Sequence, residues 1–155
     1  MKESGMRDEF GKNWGRLEMV NSKVNTDGLS VLVADDDWPI LRALNARLTH
    51  AGFRVSTVSD GLNAVVSAMD TQPDIAVLDI NMPGLDGFSV AERIVEDNPE
   101  CQILFLSANK SQEVRHKASS VGLFVEKPFD SKDLTEKILE AALSPNTGQG
   151  VSSEA

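Results

Sequence analysis

The sequence predicts an α/β fold of the (βα)5 type, with five parallel strands alternating with five helices, and three observations predict it. Short apolar runs rich in β-branched residues recur through residues 30–125. Stretches of helical periodicity fill the gaps between them. The strands read as near-continuous apolar runs rather than as alternating ones, which is what burial on both faces of a parallel sheet requires.

Taken in order, the first strand is expected at Ser30–Ala34, where the apolar run "VLVA" stops against three adjacent carboxylates, Asp35, Asp36 and Asp37. A helix follows over Ile40–Ala51. Ile40, Leu41, Leu44 and Leu48 share one broad apolar face, Asp37 is placed to cap it, Pro39 suits its first turn and Gly52 ends it. Arg54–Val58 is the second strand and Leu62–Met69 the second helix. The third strand, Ile75–Leu78, runs into Asp79 and is followed by a helix over Phe88–Val95. The fourth, Gln102–Leu106, runs into Ser107 and a helix over Gln112–Val121. The fifth, Leu123–Val125, precedes Lys127, and the last helix, Lys132–Leu143, carries Leu134, Ile138, Leu139 and Ala142 on one face.

At 155 residues, 41% apolar and 25% charged, the chain suits one globular domain with a real core. A net charge of −9 argues against a nucleic-acid surface, which needs a basic stripe. The acidic excess lies in the body. Residues 29–143 hold ten basic and eighteen acidic groups, whereas residues 1–28 hold five of each. One cysteine, Cys101, rules out an internal disulfide framework, and its apolar setting suggests a buried, inert thiol. No run has the length of a membrane span and the first residues lack a signal-peptide core, so a cytoplasmic protein without membrane insertion is expected.

Residues 1–28 stand outside the strand–helix pattern. They contain four glycines and mixed charge, and a disordered N-terminal arm is expected there. The alternative is a helix docked on another surface through Met6, Phe10, Trp14 and Leu17, weakened by Gly11 and Gly15. Residues 144–155 have the composition of a disordered tail, which leaves 29–143 as the domain.

Functional groups of a parallel α/β sheet collect at the carboxyl ends of its strands. Where the first and third strands are neighbours, Asp35–Asp37 converge on Asp79. So many carboxylates in one crevice repel, and a hard divalent cation relieves them. Mg2+ fits best, because it binds through one or two carboxylates together with waters and a phosphate. Ser107 and Lys127, at the ends of the fourth and fifth strands, add a hydroxyl and a fixed cation. Together they suit a phosphoryl group, with Asp79 as the carboxylate that accepts it. The Lys127–Pro128 bond is a candidate cis peptide that would aim the lysine inward. Singly these features are ordinary, since aspartates precede helices as caps and end strands as turn residues. Their coincidence at four strand ends is what points to a site.

The segments "VLVADD", "VLDINMPGLDG", "LFLSA" and "EKPF", in this order, resemble the receiver domain of two-component response regulators over roughly residues 29–143. The resemblance implies a doubly wound, flavodoxin-like sheet with strand order 2-1-3-4-5. It also implies that Asp79 is the phosphoacceptor. Asp36 would be a direct Mg2+ ligand, with Asp35 acting through a water and Asn81 through its backbone carbonyl. Ser107, Lys127 and Phe124 would follow the phosphoryl group and switch the fold, Phe124 as an aromatic rotamer switch. Asn81 and Asn109 stand where the family tunes dephosphorylation. The donor would be a sensor histidine kinase or a histidine phosphotransfer protein, and the output a downstream protein target. No direct nucleic-acid contact is expected. Such a chain is not an enzyme in the ordinary sense but a phosphoacceptor regulator that assists its own phosphorylation and dephosphorylation. Only twelve residues follow Leu143, so a stand-alone receiver is expected.

Two departures from the family pattern stand out. Only Leu123 separates Gly122 from Phe124, a loop about two residues shorter than usual, which puts the register of Phe124 in question. Trp38 brings an indole beside the acidic cluster, either as a packing residue at the helix start or as part of a docking rim. His50 and His116 are expected on the surface. Two other functions compete. A haloacid-dehalogenase-type phosphatase would use Asp35 as nucleophile and Asp37 as acid/base, leaving Asp79 without a role. A phosphorylation-independent interaction module would leave the whole acidic cluster without one.

Overall fold

The computed structural model describes residues 28–143. The expected arm, its Met6–Leu17 apolar face and the tail lie outside the described residues, Gly28 excepted. The elements run β1 (Ser30–Ala34), α1 (Trp38–His50), β2 (Arg54–Val58), α2 (Gly61–Thr71), β3 (Ile75–Asp79), α3 (Gly87–Asp97), β4 (Gln102–Ser107), α4 (Gln112–Ser119), β5 (Leu123–Glu126) and α5 (Ser131–Leu143). All five strands pair in parallel in the order β2-β1-β3-β4-β5. Expected and observed strands agree, except that β3, β4 and β5 each run one residue further, to Asp79, Ser107 and Glu126.

The alternation of side chains along β1, β3 and β4 sorts the core into two layers. Leu32, Ala34, Ala76, Leu78, Ile103 and Phe105 face α2, α3 and α4. Val31, Val33, Ile75, Val77, Leu104 and Leu106 face α1 and α5. The central strands β1 and β3 are buried throughout, which is why they read as unbroken apolar runs, whereas the edge strand β2 ("RVSTV") is only half-buried. On α1 the buried positions are Leu41, Leu44 and Leu48, with Ile40 at the margin. On α5 they are Leu134, Thr135, Ile138 and Ala141, so the inward face is rotated slightly from the one expected, and Leu139 and Ala142 flank it.

Helix starts are fixed by local chemistry. Asp60, Asp86 and Ser111 accept hydrogen bonds from the N–H groups of Asn63, Ser89 and Val114, capping α2, α3 and α4. Asp37 is the exception. It occupies the cap position of α1, but its side chain makes no capping bond; its N–H instead donates to Asp35 Oδ1 at 2.9 Å. Gly52, at φ 105°, turns the chain out of α1 as expected. The short connection before β5 is tolerated because Gly122 lies against the Ile103 carbonyl, where a Cβ would collide. The register is thereby settled: Phe124 pairs with Phe105, and Glu126 with Ser107. Among the described residues no helix is long and apolar enough to cross a membrane.

Candidate functional site

β1 and β3 are neighbours, and their carboxyl ends bring Asp35, Asp36 and Asp79 together. One carboxylate oxygen from each lies within 4.8 Å of the others. Asp35 is wholly buried, Asp79 nearly so, and Asp36 is exposed at the mouth. β5 delivers Lys127 across β4 into the same crevice. Its N–H donates to the Ser107 carbonyl at 2.8 Å, and its Nζ lies 2.8 Å from Asp35 Oδ2 and 3.4 Å from Asp79 Oδ1. The Lys127–Pro128 peptide is cis. Asp35 Oδ2 is buried, and the Lys127 ammonium is the positive group that faces it.

One lysine does not balance this cluster. Burial pushes the Asp79 carboxyl up to about 6, the neighbouring Asp35 adds to the shift, and Lys127 opposes it. Burial also raises Asp35, against the hydrogen-bonding and charge of Lys127. Lys127 itself is held above the ordinary lysine range. Burial works against its charge, but the two aspartates outweigh that. A pocket that leaves two buried carboxylates above their normal range has room for more positive charge. Its donors are all carboxylate oxygens, the chemistry of a hard divalent cation, so the residues fit Mg2+.

Ser107 ends β4 fully buried, and its Oγ accepts the Asn109 N–H at 2.9 Å. Asn81 is exposed in the loop after β3. Phe124 is half-buried against the layer that includes Phe105 and Val114, with the Arg115 guanidinium 5.3 Å from its ring centre. Arg115 also pairs with Glu126. Gly87 was not singled out by sequence reasoning, although it supports Asp79: a Cβ there would lie 2.5 Å from the Asp79 carbonyl oxygen and 2.8 Å from Ile80 Cα. The signal available was a glycine opening a helix just after an acidic cap. Trp38 is 62% exposed, so of the two readings offered for it, packing at the helix start is the one that fails. His50 and His116 are exposed. Cys101 is buried, and burial pushes its thiol up to about 12.

Asp35 is held from two sides, its Oδ2 by the Lys127 ammonium at 2.8 Å and its Oδ1 by the Asp37 N–H at 2.9 Å. The Response regulator receiver domain family matches residues 31–139. Among curated relatives, the transcriptional regulatory protein PrrA of Mycobacterium leprae is 39% identical over 110 residues, 70% of this chain and 47% of its own length. The positive alginate biosynthesis regulatory protein of Pseudomonas aeruginosa is 37% identical over 126 residues, 78% of this chain and 50% of its own. The chain thus spans about half the length of the curated relatives it matches. Among solved structures, the receiver domain of Francisella response regulator 1452 superposes with a TM-score of 0.67 at 28% identity, covering 74% of this chain and 96% of that one. A chain of the CheX–CheY–BeF3–Mg2+ complex from Borrelia burgdorferi gives 0.67 at 26% identity, covering 72% and 87%.

Proposed function

The chain belongs to the response regulator receiver domain family, and from that premise we propose that Asp79 takes a phosphoryl group from a phosphohistidine of a sensor kinase or phosphotransfer protein. The observation that carries the assignment is the convergence of three strand ends, with Lys127 Nζ 3.4 Å from Asp79 Oδ1 inside a cluster of carboxylates. Asp79 is buried enough to be shielded yet not sealed like Asp35, which makes it the acceptor of the two. An Asp79 oxygen forms the O–P bond as the P–N bond to the donor imidazole breaks, and the bonding pair stays on the ring nitrogen.

Asp36 and Asp79 would hold Mg2+, with the Asn81 carbonyl as a further ligand and Asp35 acting through water. The ion's charge would offset that of the phosphoryl oxygens. The likeness to the Borrelia chain, whose complex contains BeF3 and Mg2+, supports that choice. Lys127 pairs with a phosphoryl oxygen, exchanging part of its contact with Asp35 and Asp79. The Ser107 hydroxyl turns to donate to another, and Phe124 follows into the space vacated. The added charge of roughly −1.5 to −2 biases the face formed by α4, β5 and α5 toward a protein target. The receiver unit is taken as residues 29–143. It assists the gain and loss of its own phosphoryl group and turns over no separate substrate.

Incubation with acetyl phosphate and Mg2+ tests this reading. One acid-stable, hydroxylamine-labile phosphoryl group per chain is expected, and none in Asp79→Asn. Label that persists in Asp79→Asn, or fails to form in the wild type when Mg2+ is present, overturns the assignment.

A further inference from the structure

Away from the acidic crevice, a groove of about 470 Å3 lies between α3 and α4. Its floor is apolar: Phe88, Ala91 and Val95 come from α3, and Val121 follows α4. Phe88 and Val95 pack on the core layer beneath, the Phe88 ring 5.0 Å from that of Phe105, while Val121 is 44% exposed. One wall is acidic. Glu92 and Glu96 stand one helical turn apart on α3, both exposed, and neither pairs with a cation among the described residues. Among the described residues that line the groove, Lys117 is the one cation, and its ammonium is already engaged, 4.5 Å from the centre of the Phe88 ring. Grooves elsewhere have other chemistry. The one between α1 and α2, with Trp38 on its wall, is lined by Ser59, Asn63, Ser67 and Asp70 among others. The one between α1 and α5 carries Arg47, His50 and Lys132.

We propose that the α3–α4 groove docks a basic amphipathic helix of a partner protein. The floor and the wall together select that occupant. An apolar floor continuous with the core is covered best by the apolar stripe of a helix laid along it. Glu92 and Glu96 lie at i and i+4 on one face, so cations at the same spacing on the partner helix meet both carboxylates. Asp86 extends the acidic wall to the start of α3, although its Oδ1 already accepts the Ser89 N–H. The contact of Lys117 with Phe88 shows that the ring face receives a cation, which suits a lysine or arginine of the partner as well. Charge also selects against a second copy of this chain: at a net charge of −9 it repels its own kind and attracts a basic segment. The site uses α3, which the face of α4, β5 and α5 does not.

The contact is independent of phosphorylation and is tested without it. The probe is a synthetic helical peptide with a leucine stripe flanked by lysine and arginine, and a counterpart carries glutamates in place of the cations. Each is titrated by NMR into the full-length, isotope-labelled chain at physiological salt, with saturating Mg2+ to occupy the acidic crevice and no phosphoryl donor. The cationic peptide is expected to bind saturably, about tenfold tighter than its counterpart, and to shift the amide signals of α3 and of the end of α4 most. Glu92→Lys combined with Glu96→Lys is expected to weaken that binding about tenfold. Val121→Ser is expected to weaken it about threefold through lost apolar contact. All three positions are exposed, and circular dichroism checks each variant for an intact fold. Equal binding of the two peptides overturns the proposal, as does an affinity that survives the charge reversal or the absence of saturable binding. Signal changes centred on Asp35, Asp36 and Asp79 assign the peptide to the crevice and also overturn it. A doubled mass by light scattering without peptide, lost on the same charge reversal, assigns the groove to a second copy and overturns it as well.

Discussion

β1 and β3 lie side by side with an aspartate at each end of the pair, yet the two ends do opposite things. At the amino-terminal end Asp74 is exposed and reaches back to β1. It accepts the Ser30 N–H, while its own N–H donates to the Ser30 carbonyl. The carboxylate satisfies a backbone group that would otherwise be lost, and the strands are locked in register. At the carboxyl-terminal end Asp35 and Asp79 are buried against each other with one lysine between them, and both are pushed toward protonation. The same residue type on the same strand pair is structural where it meets a donor and reactive where it meets another acid. Burial and company, not composition, decide which.

The largest test of that contrast is Lys127→Ala. Removing one partner of a buried ion pair leaves uncompensated charge, and a loss of about 3 kcal/mol is expected in urea unfolding at pH 8 without divalent cations. The loss is expected to shrink toward pH 5, where Asp79 takes up a proton and needs the ammonium less. Added Mg2+ is expected to recover part of it. A cost below about 1 kcal/mol at pH 8 would mean that the crevice is better solvated than its burial implies.

Asp79→Asn comes next and carries the opposite sign. Asp79 titrates at about 6 in the folded chain against an ordinary value of 3.8, so the folded state holds a proton that the unfolded state releases. That contribution is fully present below about pH 4 and is lost as pH rises through 6. Metal-free wild type is therefore expected to lose on the order of 2–3 kcal/mol between pH 4 and 7 from this group alone. Asp79→Asn is expected to lack that slope and to be the more stable protein at pH 7.5, by a similar amount. Mg2+ is expected to narrow the gap by stabilising the wild type, which keeps the carboxylate. Parallel pH profiles for the two proteins would show that the carboxyl is not strained.

Much of this was legible beforehand because each signal was local. The buried runs of β1 and β3 announce central strands, and the residues that end β1, β3 and β4 and follow β5 announce the crevice. What stayed illegible depends on contacts distant in sequence. Asp37 looked like a cap, but the deeper Asp35 claims its N–H and its side chain caps nothing. Gly87 is an ordinary helix-opening glycine until α3 is packed onto the carbonyl of Asp79. The short loop before Phe124 left the register open because no sequence rule reveals that Gly122 can press against Ile103. Trp38 could be packed or exposed, and only the placement of α2 across from it shows an exposed groove wall.

The smallest effect belongs to the quiet end of the strand pair. Asp74→Ala removes the acceptor from the Ser30 N–H, and Ser30 is itself buried. The lost bond has a charged acceptor, so a destabilisation of about 1–2 kcal/mol is expected. Among the described residues the acidic cluster that could hold a metal lies at the other end, so Mg2+ is expected to leave that deficit untouched while it changes the Lys127→Ala and wild-type baselines. Phosphoryl uptake from acetyl phosphate is expected to match wild type, because β1 and β3 hold their register through the paired backbone even without the side-chain tie. A clear fall in uptake would mean that the two ends are coupled through the strands. The division of labour between them would then fail.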